Sequence, residues 1–543
     1  MRILTLAAAA ALASVSAIAI ASDAPEPAFS AESVRAHVEF LADDLLEGRD
    51  AGTRGYDIAA RYVATEMEGL GLKPGNGESW YQNVPFVERA PDTSAPGSIT
   101  IAGKRFPQGG DALVSVFGEG AQTLSGEAVF VGYGLKDAGA RLDDYAGLDV
   151  RGKTVVMLYG TPKGLASDIA ASLNSQKAKM AQDAGAIGVI TLFSPQMAKA
   201  VSWDALKGYT SGSALNWAGA DGAPTRSAPG IKGTAYVNAA AADALFAGAP
   251  RTPKQLFADA DRGRKIKGFA LTQPITIEST SKWRKFASPN VVGMIPGSDP
   301  ALKNEYVLLM AHLDHEGIKE KTEGADKIYN GAMDNAAGVA TMLEVARAFS
   351  TSGEKPRRTI LFAAVTAEED GLLGSDYLAR HPLPGGGKVV SVVNLDMPVL
   401  LYDFTDVTAF GAEHSTMGPL VEAAAGKYGV KLSPDPMPEE NLFVRSDHYS
   451  FVKQGVPSVF LVTGFANGGE KIFKDFLKTH YHKVSDQADL PFNWQAGAKF
   501  AQVNYAIARD IANAPEAPKW YADSPFGAQY AKDAAKAVRP AAK

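Results

Sequence analysis

Apolar and polar positions follow two periods along this chain. In "AESVRAHVEFLADDLLEGRDAGTRGYDIAARYVATEMEGLGLKPG", which begins at residue 31, apolar residues recur at three- and four-residue steps. That spacing predicts helices over about 30–72, with Gly69 and Gly71 closing the second. "WYQNVPFVE" then reads as a strand. From about 110 to 278, short β-like runs such as "GEAVFVGYG", "TVVMLYG" and "GVITLF" alternate with Gly- and Ala-rich connections around the helical "SQKAKMAQDAGA". From about 280 the chain becomes regular. "SPNVVGMIPG", "EYVLLMAHLDH", "RRTILFAAVTAEE", "VVSVVNLDM" and "GVPSVFLVTG" are apolar strand candidates. Helix-like segments separate them; one is "AAGVATMLEVARAFS", with Val339, Met342, Leu343, Ala346 and Phe349 on its apolar positions. Strands alternating with helices predict an α/β fold, its mixed, mostly parallel sheet buried on both faces by helices. The texture of 110–278 predicts a smaller β-rich domain inserted into the main one.

The first residues read differently. "MRILTLAAAAALASVSAIAIASDAPEP" carries Arg2, a short apolar stretch and the small-x-small signal Ala19-Ile20-Ala21. This predicts a secretory signal peptide over 1–21, so the protein is expected to be exported to a bacterial periplasm or the medium. No later run approaches the ~20 apolar residues of a membrane span. The expected organisation is therefore 1–21 signal peptide, 22–109 first part of the main domain, 110–278 insertion, 279–513 main part, and 514–543 an Ala/Lys/Pro-rich C-terminal extension.

Composition narrows the chemistry. The net charge is −6 and basic residues are spread along the chain, which excludes a nucleic-acid footprint. There is no cysteine, so any metal site must be built from His, Asp and Glu.

The ends of the apolar runs carry those residue types. "VLLMAHLDHEG" offers His312 and Asp314, "YNGAMDNAAG" Asp334, "VTAEEDG" Glu368 and Glu369, "SVVNLDM" Asp396, and "KTHYHKVSDQAD" Tyr481, His482 and Asp486. Ligands of open α/β sheets bind at the carboxyl ends of strands. One such Asp is most often a helix cap, a lone His a satisfied core group and a Glu pair a solvated face. Here every major run ends this way. Carboxylates crowded into one crevice need positive charge between them, and a sulfur-free N/O ligand set suits zinc, though ligand type alone does not separate zinc from manganese or cobalt. Two His and three carboxylates match two close divalent ions sharing one Asp. Asp314, two residues after His312, is expected to orient that ring. The Glu368-Glu369 pair then has a reading: one Glu ligates and the other carries a proton.

These motifs resemble metallopeptidase family twenty-eight, the co-catalytic dizinc exopeptidases of bacterial leucyl-aminopeptidase type. "HLDH", "NGAMDNAAG", "AEEDGLLGS", "NLDM", "RSDHYSF" and "YHKVSD" occur in that family's order, and the leader from residue 41 is also similar. The likeness covers roughly 30–110 and 280–510. The inserted stretch "DYAGLDVRGKTVVMLYG" followed by "AKMAQDAGAIGVITLF" resembles a protease-associated domain. The resemblance implies that two zinc ions are held, one by His312 and Asp396, the other by Glu369 and His482, with Asp334 bridging. It implies Glu368 as general base and acid, Tyr481 as donor to the oxyanion, and a cis peptide after Asp334. Asp314 and Asp486 become supports of the ligands, and Arg445, Asp447 and His448 become residues of the substrate pocket. His315, His381, His414 and His480 are expected not to be ligands. Ala337 replaces a Ser common in the family. The implied activity is aminopeptidase action on peptide substrates by a dizinc-bound hydroxide. The alternatives are a carboxypeptidase on the same scaffold, a glutaminyl cyclase, and a non-catalytic receptor-like protein.

Overall fold

The computed structural model describes residues 26–540, so the expected signal peptide lies outside the described residues. In chain order the elements that matter here are helices α1 (Ala31–Leu41) and α2 (Arg54–Gly69), strands β1 (Tyr81–Pro91), β2 (Ala128–Phe130) and β3 (Thr154–Leu158), helix α3 (Ser167–Ser175), and strands β4 (Gly188–Leu192), β5 (Ala214–Trp217), β6 (Gly233–Val237), β7 (Ile275–Ile295) and β8 (Glu305–His312). They continue with α4 (Ala337–Thr351), β9 (Thr359–Val365), α5 (Leu373–Arg380), β10 (Lys388–Leu395), β11 (Asp406–Phe410), α6 (His448–Val452), β12 (Ser458–Thr463), α7 (Gly469–Thr479) and α8 (Trp494–Asn513).

The main sheet runs β5–β1–β7–β9–β8–β10–β12–β11, with Lys431–Ser433 beyond β11. It is mixed. The four central strands β9, β8, β10 and β12 are mutually parallel. Antiparallel neighbours flank them: β7 on one side and β11 on the other. The parallel part is thus confined to the centre, where helices cover both faces.

Strand alternation shows how both faces are buried. In β8, Val307, Leu309 and Ala311 join one core, while Tyr306, Leu308 and Met310 join another. In β9, Ile360, Phe362 and Ala364 face the first core, and Leu361, Ala363 and Val365 the second. Successive side chains on a strand point to opposite faces, so an unbroken apolar run is what a doubly covered strand requires. Helices α1, α2, α4 and α8 supply the first core; Leu378 of α5 and Phe451 of α6 join the second. The α4 helix is buried on nearly every side. Its Glu344 is buried too, and is satisfied by Ser33 Oγ at 2.6 Å and Arg347 Nη2 at 2.7 Å, which ties α1 to α4.

The inserted region has its own six-stranded sheet, in which β2, β3, β4 and β6 are parallel. Its ends are woven into the main sheet rather than cut off from it. The long β7 runs through residue 278, where the sequence suggested a boundary, and β5 returns from the insertion to pair with β1. Helix α3 docks on the main domain, with Ser172 Oγ 2.7 Å from Tyr449 OH. The C-terminal extension also packs on the body: Trp520 and Phe526 are buried, and Trp520 Nε1 donates to the Gly455 carbonyl at 2.8 Å. Among the described residues no helix is long and apolar enough to cross a membrane.

Candidate metal centre

Because β8, β9 and β10 are parallel, their carboxyl ends open on one edge. His312 is the last residue of β8, Glu368 and Glu369 follow β9, and Asp396 follows β10. Asp334 comes from the turn before α4 and His482 from the loop after α7. The structure brings all six side chains together.

Asp334 lies at the middle. Its Oδ1 is 3.2 Å from His312 Nε2 and its Oδ2 is 3.2 Å from His482 Nε2. Asp396 Oδ1 is 3.2 Å from His312 Nε2, and Glu369 Oε2 is 3.1 Å from His482 Nε2. Glu368 groups with His312 and Glu369, their ligand atoms within 4.8 Å of one another. His312, Asp334 and Asp396 are buried, whereas the His482 side chain is 33% exposed at the mouth.

The supporting contacts fix this geometry. His312 Nδ1 donates to the Asp314 backbone carbonyl at 3.1 Å, not to the carboxylate that the sequence suggested. The Asp314 carboxylate instead accepts the backbone N–H groups of Glu368 at 3.1 Å and Glu369 at 3.2 Å. Asp486 does the same for the Asp334 turn, accepting from Met333 N at 2.9 Å and Asp334 N at 3.0 Å. The Asp334–Asn335 peptide is cis. Ala367, Met397 and His482 have φ of 54°, 40° and 53°. Each is a ligand candidate or the neighbour of one, and each left-handed non-glycine costs on the order of 1–3 kcal/mol. Such backbone strain therefore occurs at three places where the chain turns these side chains inward.

Several contributors were not singled out from the sequence. Ser446 Oγ donates to Asp396 Oδ2 at 2.6 Å. Arg49, buried at 1% exposure, donates to the carbonyls of Leu313 at 2.9 Å, Asn330 at 2.6 Å and Gly331 at 3.0 Å, and also to Leu41. It is a fixed cation behind Asp314, Asp334 and Asp486; burial lowers its pKa to about 10 while those carboxylates oppose the shift. His315, expected not to be a ligand, nevertheless reaches the site: its Nδ1 is 2.7 Å from Glu369 Oε1. Glu316 Oε1 is 3.1 Å from His482 Nδ1. Both follow Asp314 directly in "HLDHEG", a position that could have flagged them.

The expected pocket residues differ in exposure. Asp447 and His448 are fully buried, and neither the carboxyl oxygens of one nor the ring nitrogens of the other have a hydrogen-bond partner. Arg445 is exposed, 3.4 Å from Glu440 Oε2. His480 turns away: its Nδ1 faces Ser485, 3.0 Å from Oγ. His381 stacks on Tyr377, and His414 packs between Phe443 and Phe526. Tyr481 packs against His482 with ring centroids 3.9 Å apart.

The two adjacent glutamates are driven apart electrostatically. Burial pushes Glu368 well above the usual carboxylate range; His312 opposes this, and Glu369, Asp447 and Asp396 add to it. Burial and Asp334 also push Glu369 upward, but His315 and His482 bring it down to about 2. Burial resists ionisation of Asp334, yet His312 and His482 hold it well below the usual range. The two neighbours are thus shifted in opposite directions within one cleft, Glu368 up and Glu369 down.

The donor chemistry fits a metal. Each imidazole gives Nδ1–H to an acceptor, the Asp314 carbonyl or the Glu316 carboxylate, and turns Nε2 toward two carboxylate oxygens. With Nδ1 held in this way, Nε2 of each ring is the atom free to ligate a cation seated among those carboxylates. The set is all N and O, suited to zinc.

Residues 290–508 match Peptidase family M28. The chain carries an M28 metallopeptidase domain. Beyond it, a "Probable zinc metalloprotease" of Pyrenophora teres f. teres is 36% identical over 107 residues, which is 20% of this chain and 22% of that protein. A "Probable glutamate carboxypeptidase" of Arabidopsis thaliana is 30% identical over 141 residues, 25% of this chain and 18% of that protein. The chain thus spans about a fifth of the length of these curated relatives. Among solved structures, an aminopeptidase from Aneurinibacillus sp. strain AM-1 aligns over 90% of this chain and 95% of its own, at 19% identity and a TM-score of 0.49. The M28 match contains every ligand candidate and Glu368.

Proposed function

We propose that the protein is an exported, zinc-dependent aminopeptidase that uses two ions. The observation that supports this most is the seat of Asp334 between two imidazoles, one oxygen to each at 3.2 Å. In this reading His312 and Asp396 hold one ion, Glu369 and His482 the other, and Asp334 both. When bound, the ions supply Lewis-acid activation of a water molecule and of the scissile carbonyl. Manganese or cobalt would suit the same ligands.

The chain's own groups supply the rest. Glu368, raised by burial, takes a proton from the attacking water as the C–O bond forms. It returns that proton to the departing amine as the C–N bond breaks. Tyr481 stays protonated, since burial and Asp334 both push its phenol up, and so it can donate to the developing oxyanion. The carboxylates around the crevice favour the free α-ammonium of a peptide's first residue. Carboxypeptidase action is the second reading. Arg445 is the cation at the rim beside Tyr481 that would take a terminal carboxylate, and its charge is offset by Glu440. The insertion is proposed to be a protease-associated domain, anchored to the catalytic body through α3.

The test is hydrolysis of a free-amine aminoacyl-p-nitroanilide panel beside N-blocked peptides with free carboxyl ends, with and without chelator and added zinc. Metal-dependent release from the free-amine panel alone is expected. Cleavage of only the blocked peptides would move the function to carboxypeptidase. No turnover on either, in protein that retains its metal, would overturn both readings.

A further inference from the structure

The loop that leaves β8 sends consecutive side chains to one half of the centre. His315, 1% exposed, places Nδ1 2.7 Å from Glu369 Oε1. Glu316 places Oε1 3.1 Å from His482 Nδ1, and its other oxygen is paired with Lys319. Glu369 and His482 in turn meet each other at 3.1 Å. The pair proposed to hold the second ion alone is therefore gripped at both ends from one dipeptide. The first pair is held by different groups: His312 by the Asp314 carbonyl and Asp396 by Ser446.

We infer that His315 and Glu316 are positioning residues that set the affinity of the second ion independently of the first, an inference that rests on the two-ion reading above. Glu369 has two oxygens with different duties. His315 holds Oε1, so that Oε2 is the atom presented beside His482 Nε2. Glu316 fixes the other ring. An acceptor at Nδ1 forces the tautomer that leaves Nε2 free to ligate, and a carboxylate there also makes the ring a stronger donor. His482 needs this help because it sits on an irregular loop with φ of 53° and a third of its side chain exposed. His312, by contrast, ends a buried strand. Room for the His315 ring comes from Gly331 (φ 59°), where a Cβ would collide with that ring and with the Asp334 carbonyl. The turn that carries the shared ligand and the ring that positions Glu369 thus meet at one glycine.

The test is equilibrium dialysis of the whole protein against metal-buffered zinc, with bound zinc counted by atomic emission, for the parent, Glu316→Ala, Glu316→Gln and His315→Phe. Because Glu316 is only half-buried, its two variants keep the experiment informative if His315→Phe does not fold. Two binding steps are expected in the parent. In Glu316→Ala one step alone should shift by about 10–100-fold with the other unchanged, and Glu316→Gln should recover part of the loss because its carbonyl still accepts from Nδ1. Cobalt-loaded protein should show the same selectivity, with loss of the second ion's absorption band first. Two steps that are unmoved, or that weaken equally, would overturn the inference and leave the two-ion reading standing. A single ion in the parent protein would overturn that reading and the inference together.

Discussion

The Asp314 carboxylate accepts the backbone N–H of Glu368 at 3.1 Å and, with its other oxygen, that of Glu369 at 3.2 Å. One buried carboxylate on the loop after β8 thereby sets the path of the chain that carries both glutamates from β9. Replacing it with Asn puts an NH2 group against one of those N–H donors. Asp314→Asn is expected to lower kcat/KM by roughly 10–100-fold and to loosen metal binding, with secondary structure kept. Steady-state kinetics beside metal content checks this; unchanged kinetics would mean that the glutamate turn holds itself.

Glu368 has a different duty from Glu369, and the consequence is measurable. Glu368→Gln removes the proton carrier without removing a proposed ligand. Turnover should fall by roughly two to four orders of magnitude while both ions stay bound. Elemental analysis of the purified variant decides the assignment, since loss of an ion would make Glu368 a ligand.

Lys177 in the inserted region gives a stability prediction away from the centre. Its ammonium is buried and donates to the Leu158 carbonyl at 2.8 Å. Burial brings its pKa from 10.5 down to about 7, with Asp144 opposing. Between pH 7 and 10.5 the unfolded chain binds this proton and the folded chain does not, so stability falls as pH drops across that window, and the loss is complete below about 7. Lys177→Met should flatten that part of the pH dependence and raise Tm at pH 7. Thermal unfolding at stepped pH reads the difference; an unchanged profile would place the charge in contact with solvent.

Much of the central fold was legible because doubly buried strands write themselves as unbroken apolar runs, as "EYVLLMAH" and "TILFAAV" do. The residues that end those runs were legible for the same reason: a polar group after a buried strand must sit at the sheet edge. What the sequence did not reveal depends on long-range return of the chain. Strand β5 leaves the insertion to pair with β1, and no local pattern signals it. Asp447 and His448 stand out through the motif "RSDHYSF", but no local pattern tells that both are fully buried while Arg445 before them is exposed. His315 is not expected as a ligand, and nothing local marks it as a support. Its role rests on a 2.7 Å contact to a residue 54 positions later, which spacing alone does not reveal.

The central claim is that Asp334 is shared by two ions. The most direct measurement is zinc stoichiometry and affinity of Asp334→Asn beside the parent protein. The account predicts two ions per chain in the parent and weakening of both binding steps together in the variant, with activity lost. Two ions bound at parental affinity in Asp334→Asn, with parental turnover, would contradict it.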